Sequence, residues 1–409
     1  MIHFWELPDE RNYILLKDSL RHKIIKYLRK KKYAKKKIIY KLEQGKKIKI
    51  KIIKEISEIL DITLKTFEKS IAWVGSNNSI GIPNPKLPFN FSNREGARFI
   101  ASIYNDGCLT KGNAKNYGHL LYYNLDKSIL KSVIKDCEKI FGVYENTIKI
   151  STRKKGTFLA FPSIMRDTVE IIIKSKGSKS ESNLDVPSFI FDKTENVLGW
   201  IEQAIADESE VKYYPEKYRR SIIWRRSLDV SKVFQHIVKT ETPLRRLSPK
   251  AQELIQKQNC RVIDAEIKML NLLGLSYDLY NLGIYTTLNN KIKTRWQISI
   301  TKRENLLKLR EIIRIPSEKK DTKFNNMMKN YHRYKEPLRI KKTVEDICKK
   351  KGKITSKELT RAMNYKSVGN AIKWLNKFER NGLITKAQKS VYEGGCYRKP
   401  AIFSLTRDK

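Results

Sequence analysis

The sequence predicts an α+β protein built on an internal duplication, and three observations lead to this fold class. The order helix, two strands, helix, two strands, helix occurs twice, at residues 92–190 and again at 191–335. A basic region with helical periodicity, residues 1–75, precedes the duplication. A third unit, residues 340–409, follows it with helix, helix, longer helix and hairpin in that order. With 409 residues, the chain is long enough for two to three domains.

The composition indicates a polyanionic partner. Lys and Arg total 85 against 43 Asp and Glu, which gives a formal charge of +42. Such a charge excludes most small-molecule enzymes and favours nucleic acid or an anionic membrane surface. Because 40% of the residues are hydrophobic, the chain can build cores and is not a disordered basic tail.

Missing patterns exclude several other classes of protein. No apolar run is long enough for a membrane span, and no basic segment followed by an apolar one opens the chain, so we expect a cytoplasmic protein that meets DNA. The five cysteines are far apart and form no C-x-x-C pair, which argues against a zinc site or a disulfide framework. No Gly-rich phosphate loop occurs, so an ATP-driven enzyme is not supported.

The basic region at the N-terminus has the densest positive charge. Between Lys17 and Lys54 there are 17 Lys or Arg and two acids, interleaved with apolar residues at helical spacing. Thr63 is placed to cap a further short helix that runs through Ile71. Two interpretations stay open: a helix-turn-helix that meets DNA, and a helical bundle with a solvated lysine face. The Gly-, Asn- and Pro-rich residues 76–91 predict a linker.

Each half of the duplication is predicted to begin with a helix. In the first half, Ser92 and Glu95 have the spacing of a capping box, and in the second half a helix begins at Thr194. The elements predicted next in the first half are a strand at 119–124, a helix at 127–141, strands at 147–151 and 157–161, and a helix at 165–174. Those of the second half are strands at 211–214 and 218–227, a helix at 249–273, strands at 279–287 and 293–301, and a helix from residue 304.

The third unit has the element order of a winged helix. A capping box at Thr355 precedes a short helix, a longer helix runs from Ser367 to Arg380, and a hairpin follows around Gly394-Gly395. Protein contacts are one role for such a unit, and DNA contacts through its recognition helix and wing are the other. The residues expected to contact DNA are Asn370, Lys373, Lys377 and Lys389.

The first helices of the two halves carry the candidate chemistry. An offset of 102 residues superposes 95–109 on 197–211 and brings Asp106 into register with Glu208, at the C-terminal ends of the two helices. Two carboxylates placed side by side repel each other unless a divalent cation holds them. Two oxygen-rich metal positions beside DNA phosphates suit in-line hydrolysis of a phosphodiester. Asp106 and Glu208 are therefore the predicted catalytic and metal-binding residues.

The same two helices are predicted to pack against each other. Ala97 and Ala101 are small residues four positions apart, a spacing that lets two helix backbones approach closely. The offset places Gly199 and Gln203 at the corresponding positions of the second helix. These four residues form the predicted helix interface.

Two nine-residue segments, Phe-Ile-Ala-Ser-Ile-Tyr-Asn-Asp-Gly at 99–107 and a divergent copy at 201–209, carry a family resemblance. The chain resembles the monomeric, two-motif LAGLIDADG homing endonucleases of archaeal type over residues 80–315. The resemblance implies two αββαββα halves that pack through the motif helices, each laying a curved sheet on DNA. It also implies Mg²⁺ (or Mn²⁺) as cofactor, cleavage of both strands across the minor groove, a monomer, and an intron-encoded gene.

The second motif departs from the family pattern. Gln203 stands where a small interface residue is usual, and Ser209 replaces the final glycine. Asp207 directly precedes Glu208, so a register shift of one residue would exchange the second acid. The family often has a basic residue near the site, and Lys302 is the candidate here.

Strands of the duplication carry alternating basic and aromatic residues. Because side chains alternate between the two faces of a strand, one face can present cations to DNA while the other packs on helices. Ordinary solvated lysines are the alternative interpretation. The residues expected to contact DNA are Lys212, Tyr214, Arg219, Arg226, Lys291, Lys293 and Arg295.

Three classes of function remain. The first is a site-specific double-stranded DNA endonuclease, which the paired motifs favour. The second is a catalytically inactive DNA-binding regulator on the same scaffold, which the divergent second motif and two possible helix-turn-helix units favour. The third is an RNA-binding intron-splicing factor, for which intron RNA would be the partner.

Overall fold

The structure is a computed structural model of the chain. It describes residues 1–77, 80–110, 118–153, 156–174, 183–214, 219–234, 242–329, 337–365, 367–388, 391–393 and 397–406. The chain divides into two compact units, Met1–Met327 and Met328–Lys409. Helices and antiparallel sheets occur in both units, which confirms the α+β class. No helix within the described residues is long and apolar enough to cross a membrane.

The N-terminal region contains a four-stranded sheet as well as the predicted helices. Its elements are β1 (Asn12–Leu16), α1 (Asp18–Lys30), α2 (Lys36–Glu43), β2 (Ile48–Lys49), α3 (Ile50–Leu60), α4 (Leu64–Lys69), β3 (Ile71–Ser76) and β4 (Ile82–Pro83). The strand order is β2-β1-β3-β4. The helix after Thr63 ends at Lys69 instead of continuing through Ile71, because the residues from Ile71 onward pair with β1 as a strand.

The predicted linker is packed into the fold of the first unit. Its strand β4 pairs with β3, and Phe89 and Phe91 are buried. Their ring centroids lie 4.8 and 5.5 Å from that of Phe141 in the first half. Arg11 also donates from Nε to Asp167 Oδ2 of the same half at 3.0 Å. Buried contacts therefore join the basic region to the duplication.

The two halves of the duplication have the same element order and the same sheet topology. The first half contains α5 (Arg94–Asn105), β5 (Gly107–Leu109), β6 (Leu120–Asn124), α6 (Lys127–Phe141), β7 (Lys149–Arg153), β8 (Gly156–Ala160) and α7 (Ser163–Ile173). The second half contains α8 (Thr194–Glu208), β9 (Ser209–Tyr214), β10 (Arg219–Asp229), α9 (Pro249–Gln256), α10 (Arg261–Leu272), β11 (Asp278–Thr286), β12 (Ile292–Ile300) and α11 (Arg303–Ile312). The sheets run β5-β6-β8-β7 and β9-β10-β12-β11, so each strand has a counterpart in the other half. The predicted duplicated core is confirmed.

The long helix predicted at 249–273 is interrupted between α9 and α10. Asn183 bonds to the backbone at the break: its Nδ2 donates to the Asn259 carbonyl at 2.8 Å, and its Oδ1 accepts from the Arg261 N–H at 3.0 Å. Both backbone groups would otherwise seek partners within a continuous helix. A residue 76 positions earlier in the chain thus supplies partners for the backbone at the break.

Two further details differ from the sequence prediction. The N-cap of α5 is Asn93, whose side chain accepts from the Gly96 N–H at 2.7 Å, and not Ser92. A helix that the sequence patterns missed, α12 (Glu318–Lys329), follows the second half.

The first helices of the two halves, α5 and α8, pack directly against each other. A Cβ atom at Gly199 of α8 would lie 2.1 Å from the carbonyl oxygen of Arg94 in α5. Only glycine allows the two backbones to come this close. Ala97, Ala101 and Gln203 are completely buried along the same helices.

A buried ion network joins the two helices beside this contact. Glu202 of α8 is 1% exposed, and it accepts from Arg94 Nη2 at 2.7 Å and Arg98 Nη1 at 3.3 Å of α5. It also accepts from the Arg314 N–H at 2.7 Å, and Arg98 pairs in turn with Asp136 of α6. Because a buried charge without a partner costs several kcal/mol, the network strongly favours this one arrangement of the helices.

The second unit has its own hydrophobic core. Its elements are α13 (Pro337–Lys351), β13 (Ile354–Thr355), α14 (Ser356–Ala362), α15 (Val368–Arg380), β14 (Ile384–Gln388), β15 (Val391–Glu393), β16 (Tyr397–Lys399) and β17 (Ile402–Leu405). Three strands form a sheet in the order β13-β17-β14, and β15 pairs with β16. Val344, Leu359, Leu375 and Phe403 belong to its core, and Thr355 forms the predicted capping box.

We expect Gly199→Ala to lower the free energy of unfolding by roughly 1–3 kcal/mol, because the added methyl group overlaps the Arg94 carbonyl. Urea unfolding followed by circular dichroism measures this loss. Gly369→Ala is the control, since a Cβ there meets only Ser367 Oγ at 3.8 Å. The control should be neutral or stabilising by up to about 1 kcal/mol. Equal losses in the two variants would contradict the close helix contact.

Candidate functional site

The two motif acids lie where a helix passes into a strand. Asp106 follows α5 directly and precedes β5, and Glu208 is the last residue of α8 and precedes β9. The last turn of a helix leaves carbonyl groups without intrahelical partners, which gives this end a partial negative charge. Both acids therefore lie at a place that favours cations.

Each acid is held by a strand residue eighteen positions further along the chain. Asn124 in β6 donates from Nδ2 to Asp106 Oδ2 at 3.0 Å. Arg226 in β10 pairs through Nη1 with Glu208 Oε1 at 3.2 Å. The offset of 102 residues that relates the two acids also relates their two partners. The halves therefore make the same contact with different chemistry, an amide in one and a guanidinium in the other.

Asp207, the residue before the second motif acid, bonds to the first half. Its carboxylate accepts from Asn105 Nδ2 at 2.9 Å and from the Tyr122 hydroxyl at 2.6 Å. Gln203 Nε2, one turn earlier in α8, lies 3.0 Å from each carboxylate oxygen. Asn105 and Asp207 are themselves related by the offset of 102, so this hydrogen bond joins equivalent positions of the two helices.

Asn124 connects Asp207 to the first motif acid. Its Nδ2, which donates to Asp106, also lies 3.3 Å from Asp207 Oδ1. Burial raises the pKa of Asp207 to about 7, and the negative charge of Asp106 contributes to the rise. These contacts bring Asp106 and Asp207 together, while Glu208 is engaged by Arg226. The catalytic roles assigned to Asp106 and Glu208 stay a prediction.

Arg226 is buried, so the expectation that it presents a cation to DNA does not fit its environment. Its side chain is 7% exposed and pairs with Glu266 as well as with Glu208. Glu266 is itself fully buried, and it accepts from the indole N–H groups of Trp200 at 3.3 Å and Trp224 at 3.0 Å. Period two identifies which strand residues share a face, but it does not say which face is inside.

Lys320 in α12 is a site residue that the sequence patterns missed. Its Nζ donates to the Ala206 carbonyl at 2.6 Å and the Ile205 carbonyl at 3.3 Å, at the C-terminal end of α8. Burial lowers the pKa of Lys320, and four nearby carboxylates oppose that change, those of Asp207, Asp106, Glu208 and Asp126. The signal that could have located its helix is Ser317, whose Oγ accepts from the Lys320 N–H at 3.3 Å as a cap. Lys302, the sequence-based candidate, is exposed at the start of α11.

The basic residues of β12 alternate with buried ones, as predicted for a strand with one face turned inward. Lys293 and Arg295 are partly exposed, whereas Ile292 and Thr294 are buried. Lys291, just before the strand, is also partly exposed. Their contacts with DNA stay predictions.

The other strand candidates lie on β9 and β10. Lys212 is partly exposed with its Nζ 3.4 Å from Glu210, and Tyr214 is exposed. Lys323 of α12 lies over the Tyr214 ring at 5.3 Å from its centroid. Arg219 is the first residue of β10.

Three of the four candidates in the second unit lie on α15, the last helix before the hairpin. Asn370, Lys373 and Lys377 are exposed on α15, and Lys377 Nζ is 5.0 Å from the ring centroid of Trp374. Lys389 lies outside the described residues. The remaining three stay predicted DNA contacts.

The site is rich in hydrogen-bond acceptors. Gln203 Oε1 is buried near Asp207 without a hydrogen-bond partner among the described residues. Within those residues, no group of three or more His, Cys, Asp or Glu side chains has an arrangement that could hold a metal ion. An open cleft of about 390 Å³ adjoins Glu208, and its lining also includes Asn105, Arg226 and Lys293. Carboxylate and amide oxygens are the ligands that Mg²⁺ and Mn²⁺ prefer. The oxygens of Asp106, Asp207, Glu208 and Gln203 are of this type.

Comparisons with known proteins find a distant similarity to solved structures. No family model and no curated protein matches the chain. Among solved structures, the chain is similar to the homing endonuclease I-WcaI bound to its DNA recognition sequence. The two are 11% identical, with a TM-score of 0.28, and the match covers 57% of this chain and 87% of that one.

Asp207→Asn should change how stability depends on pH. The pKa of Asp207 is raised from 3.8 to about 7 on folding, so between these values the folded state binds a proton that the unfolded state has released. The stability from this group is therefore present at low pH and lost as the pH rises toward 7. The free energy of unfolding of the wild type minus that of the variant should therefore fall by roughly 2–4 kcal/mol between about pH 4 and pH 8.

Chemical denaturation at a series of pH values, in chelator, measures this difference. The comparison uses the slope with pH, because an asparagine among the donors Asn105, Tyr122 and Gln203 also lowers stability at every pH. Asp192→Asn, at an exposed position, is the control and should run parallel to the wild type. Parallel curves for Asp207→Asn would contradict the raised pKa.

Proposed function

We propose that the chain is a site-specific double-stranded DNA endonuclease of the LAGLIDADG homing type. The repeated geometry of the motif acids supports this most directly. Each half ends its first helix with a carboxylate, Asp106 or Glu208, and holds it from a strand by the residue eighteen positions later. A pair of acids related by an internal duplication suits the hydrolysis of two strands that are related by the symmetry of a duplex.

Asp106 and Glu208 are the residues that would hold Mg²⁺ or Mn²⁺, with Asp207 as a further acceptor. A bound divalent cation polarises the scissile phosphate and lowers the pKa of an attacking water. The protein's own contribution is to orient the acids. Asn124 orients Asp106 by donating to its Oδ2, and Arg226 orients Glu208 from the strand side.

Duplex DNA is the partner that the charge of the chain fits. The net charge is +42, and Lys293 and Arg295 are partly exposed along one face of β12. We further propose that the second unit is a winged helix, because its order of helices and its sheet order β13-β17-β14 suit that motif. In a winged helix, α15 with Asn370 and Lys373 would enter the major groove. Since one chain holds both halves, it would act as a monomer.

A DNA-binding regulator without cleavage is the second candidate function. One observation favours it: the guanidinium of Arg226 already neutralises part of the charge of Glu208. Such a protein would bind the same duplex and leave it intact. Cleavage assays separate the two functions.

Asp106→Asn and Glu208→Gln should each reduce Mg²⁺-dependent cleavage at least about 100-fold while DNA affinity changes less than about threefold. Neither acid is needed to hold phosphates, so binding and cleavage should separate. A plasmid library with random inserts supplies the substrate, and gel mobility shift measures affinity. Glu253→Gln is the control, because Glu253 is exposed on α9, where it pairs with Lys257 one turn later.

The same assay tests the register of the second motif. If Asp207→Asn abolishes cleavage and Glu208→Gln does not, the second catalytic acid is Asp207. Full activity of both Asp106→Asn and Glu208→Gln would refute the proposed catalytic site. Binding without any cleavage by the wild type would favour the regulator instead.

Truncation after Lys329 should weaken DNA binding or shorten the protected stretch, yet leave Mg²⁺-dependent cleavage detectable at high protein concentration. The second unit has its own core, so its removal should leave the duplication folded. A tethered DNA-binding module adds effective concentration without changing the catalytic residues. Footprinting of the truncated and full-length proteins measures the effect. Identical footprints and affinities would show that the second unit serves another partner.

A further inference from the structure

Equivalent positions of the two halves hold the motif acids with groups of different charge. Asn124 and Arg226 occupy the same place in sheets of the same topology, 102 residues apart. The amide of asparagine is neutral, whereas the guanidinium of arginine is always positive. Its contact at 3.2 Å places that fixed charge against Glu208.

The guanidinium of Arg226 is locked in this position. Glu266 accepts from its Nε at 3.3 Å and also from its Nη2, while two buried indole N–H groups, of Trp200 and Trp224, hold the same carboxylate. If Arg226 swung away toward solvent, the buried charge of Glu266 would be left without its cation at a cost of several kcal/mol. The positive charge beside Glu208 is therefore a permanent part of the second half.

A second carboxyl group, that of Asp207 in α8, lies beside the motif acid of the first half. The amide of Asn124 joins Asp106 to the carboxylate of Asp207, at 3.0 and 3.3 Å respectively. Two carboxylates on one amide attract a cation, because each favours neutralisation of the other. Gln203 Oε1 adds a buried acceptor atom close to Asp207.

We infer that Arg226 makes the second half the weaker divalent-cation site, so that the chain cuts the two strands of its target at unequal rates and the strand served by Glu208 is cut second. This inference rests on the proposed endonuclease function. The fixed guanidinium repels an incoming divalent cation and competes with it for the Glu208 carboxylate. Arg226 is thus a positioning residue that acts through Glu208.

The first test counts cations without any DNA. Mn²⁺ binding to the full chain is followed by the electron paramagnetic resonance signal of the free ion. We expect two sites whose affinities differ about tenfold or more, the factor that a difference of roughly 1.4 kcal/mol produces. Asp106→Asn should remove the tighter site and Glu208→Gln the weaker one. Two sites of equal affinity, or the opposite assignment, would overturn the inference.

A paired substitution, Arg226→Asn with Glu266→Gln, gives the second half the amide of the first and keeps the net charge unchanged. The glutamine retains an acceptor oxygen for the indole N–H groups of Trp200 and Trp224. This variant should bring the weaker Mn²⁺ site within about threefold of the tighter one. Arg225→Asn, at the neighbouring position where the side chain donates to Gln297 at 3.0 Å, is the control and should leave both affinities unchanged.

The second test measures each strand separately. A target recovered from a random-sequence library carries a different dye at each 5′ end, and single-turnover rates are measured with Mg²⁺. The wild type should cut one strand about tenfold faster, and the paired substitution should speed the slower strand alone. General destabilisation lowers both rates together and leaves their ratio unchanged, so the ratio reports Arg226 itself.

The outcomes separate the two levels of the proposal. Cleavage of both strands at the same rate would overturn the inference and leave the endonuclease function standing. No cleavage of either strand would refute the endonuclease function. If the paired variant does not fold, the wild-type rate ratio and the two Mn²⁺ affinities still decide the inference.

Discussion

The contact between α5 and α8 is the constraint on which the rest of the molecule depends. At Gly199 the backbone of α8 contacts the Arg94 carbonyl and leaves no room for a side chain. Beside this contact, the buried Glu202 forms ion pairs with two arginines of α5. Overlap would be strained and separation would leave Glu202 without its partners, so the two helices have one favourable arrangement. That arrangement brings together the C-terminal ends of both helices, and with them Asp106 and Asp207.

Duplication supplies matching positions, and the side chains at those positions then set different chemistry. The same strand position holds Asn124 in one half and Arg226 in the other, and each holds its motif acid. The first half gains a second carboxylate through Asp207, whereas the second half gains a guanidinium anchored on the buried Glu266. A symmetric scaffold can therefore carry an asymmetric site, because burial and pairing are decided one side chain at a time.

Positive charge has two separate uses in this protein. Lys293 and Arg295 keep part of their surface exposed along β12, where a polyanion could reach them. Arg226 instead lies inside the fold against two carboxylates, and the half-buried Lys320 donates to the carbonyl groups that end α8. A cation is stable away from water only where hydrogen-bond acceptors compensate for its lost hydration. The charges of Arg226 and Lys320 therefore organise the site. Net charge alone does not distinguish the two uses.

Features that depend on neighbouring residues in the chain can be predicted from the sequence. Periodicity defined the helix Lys127–Phe141 and the duplicated order of elements, and the offset of 102 aligned Asp106 with Glu208 before any contact was known. Features that depend on distant partners appear only in the folded protein. Ile71 belongs to a strand because it pairs with Leu16 of β1. Arg226 is buried where it pairs with the buried Glu266. Hydrogen bonds and ion pairs between distant segments form only when the chain folds, so a local sequence pattern does not predict them.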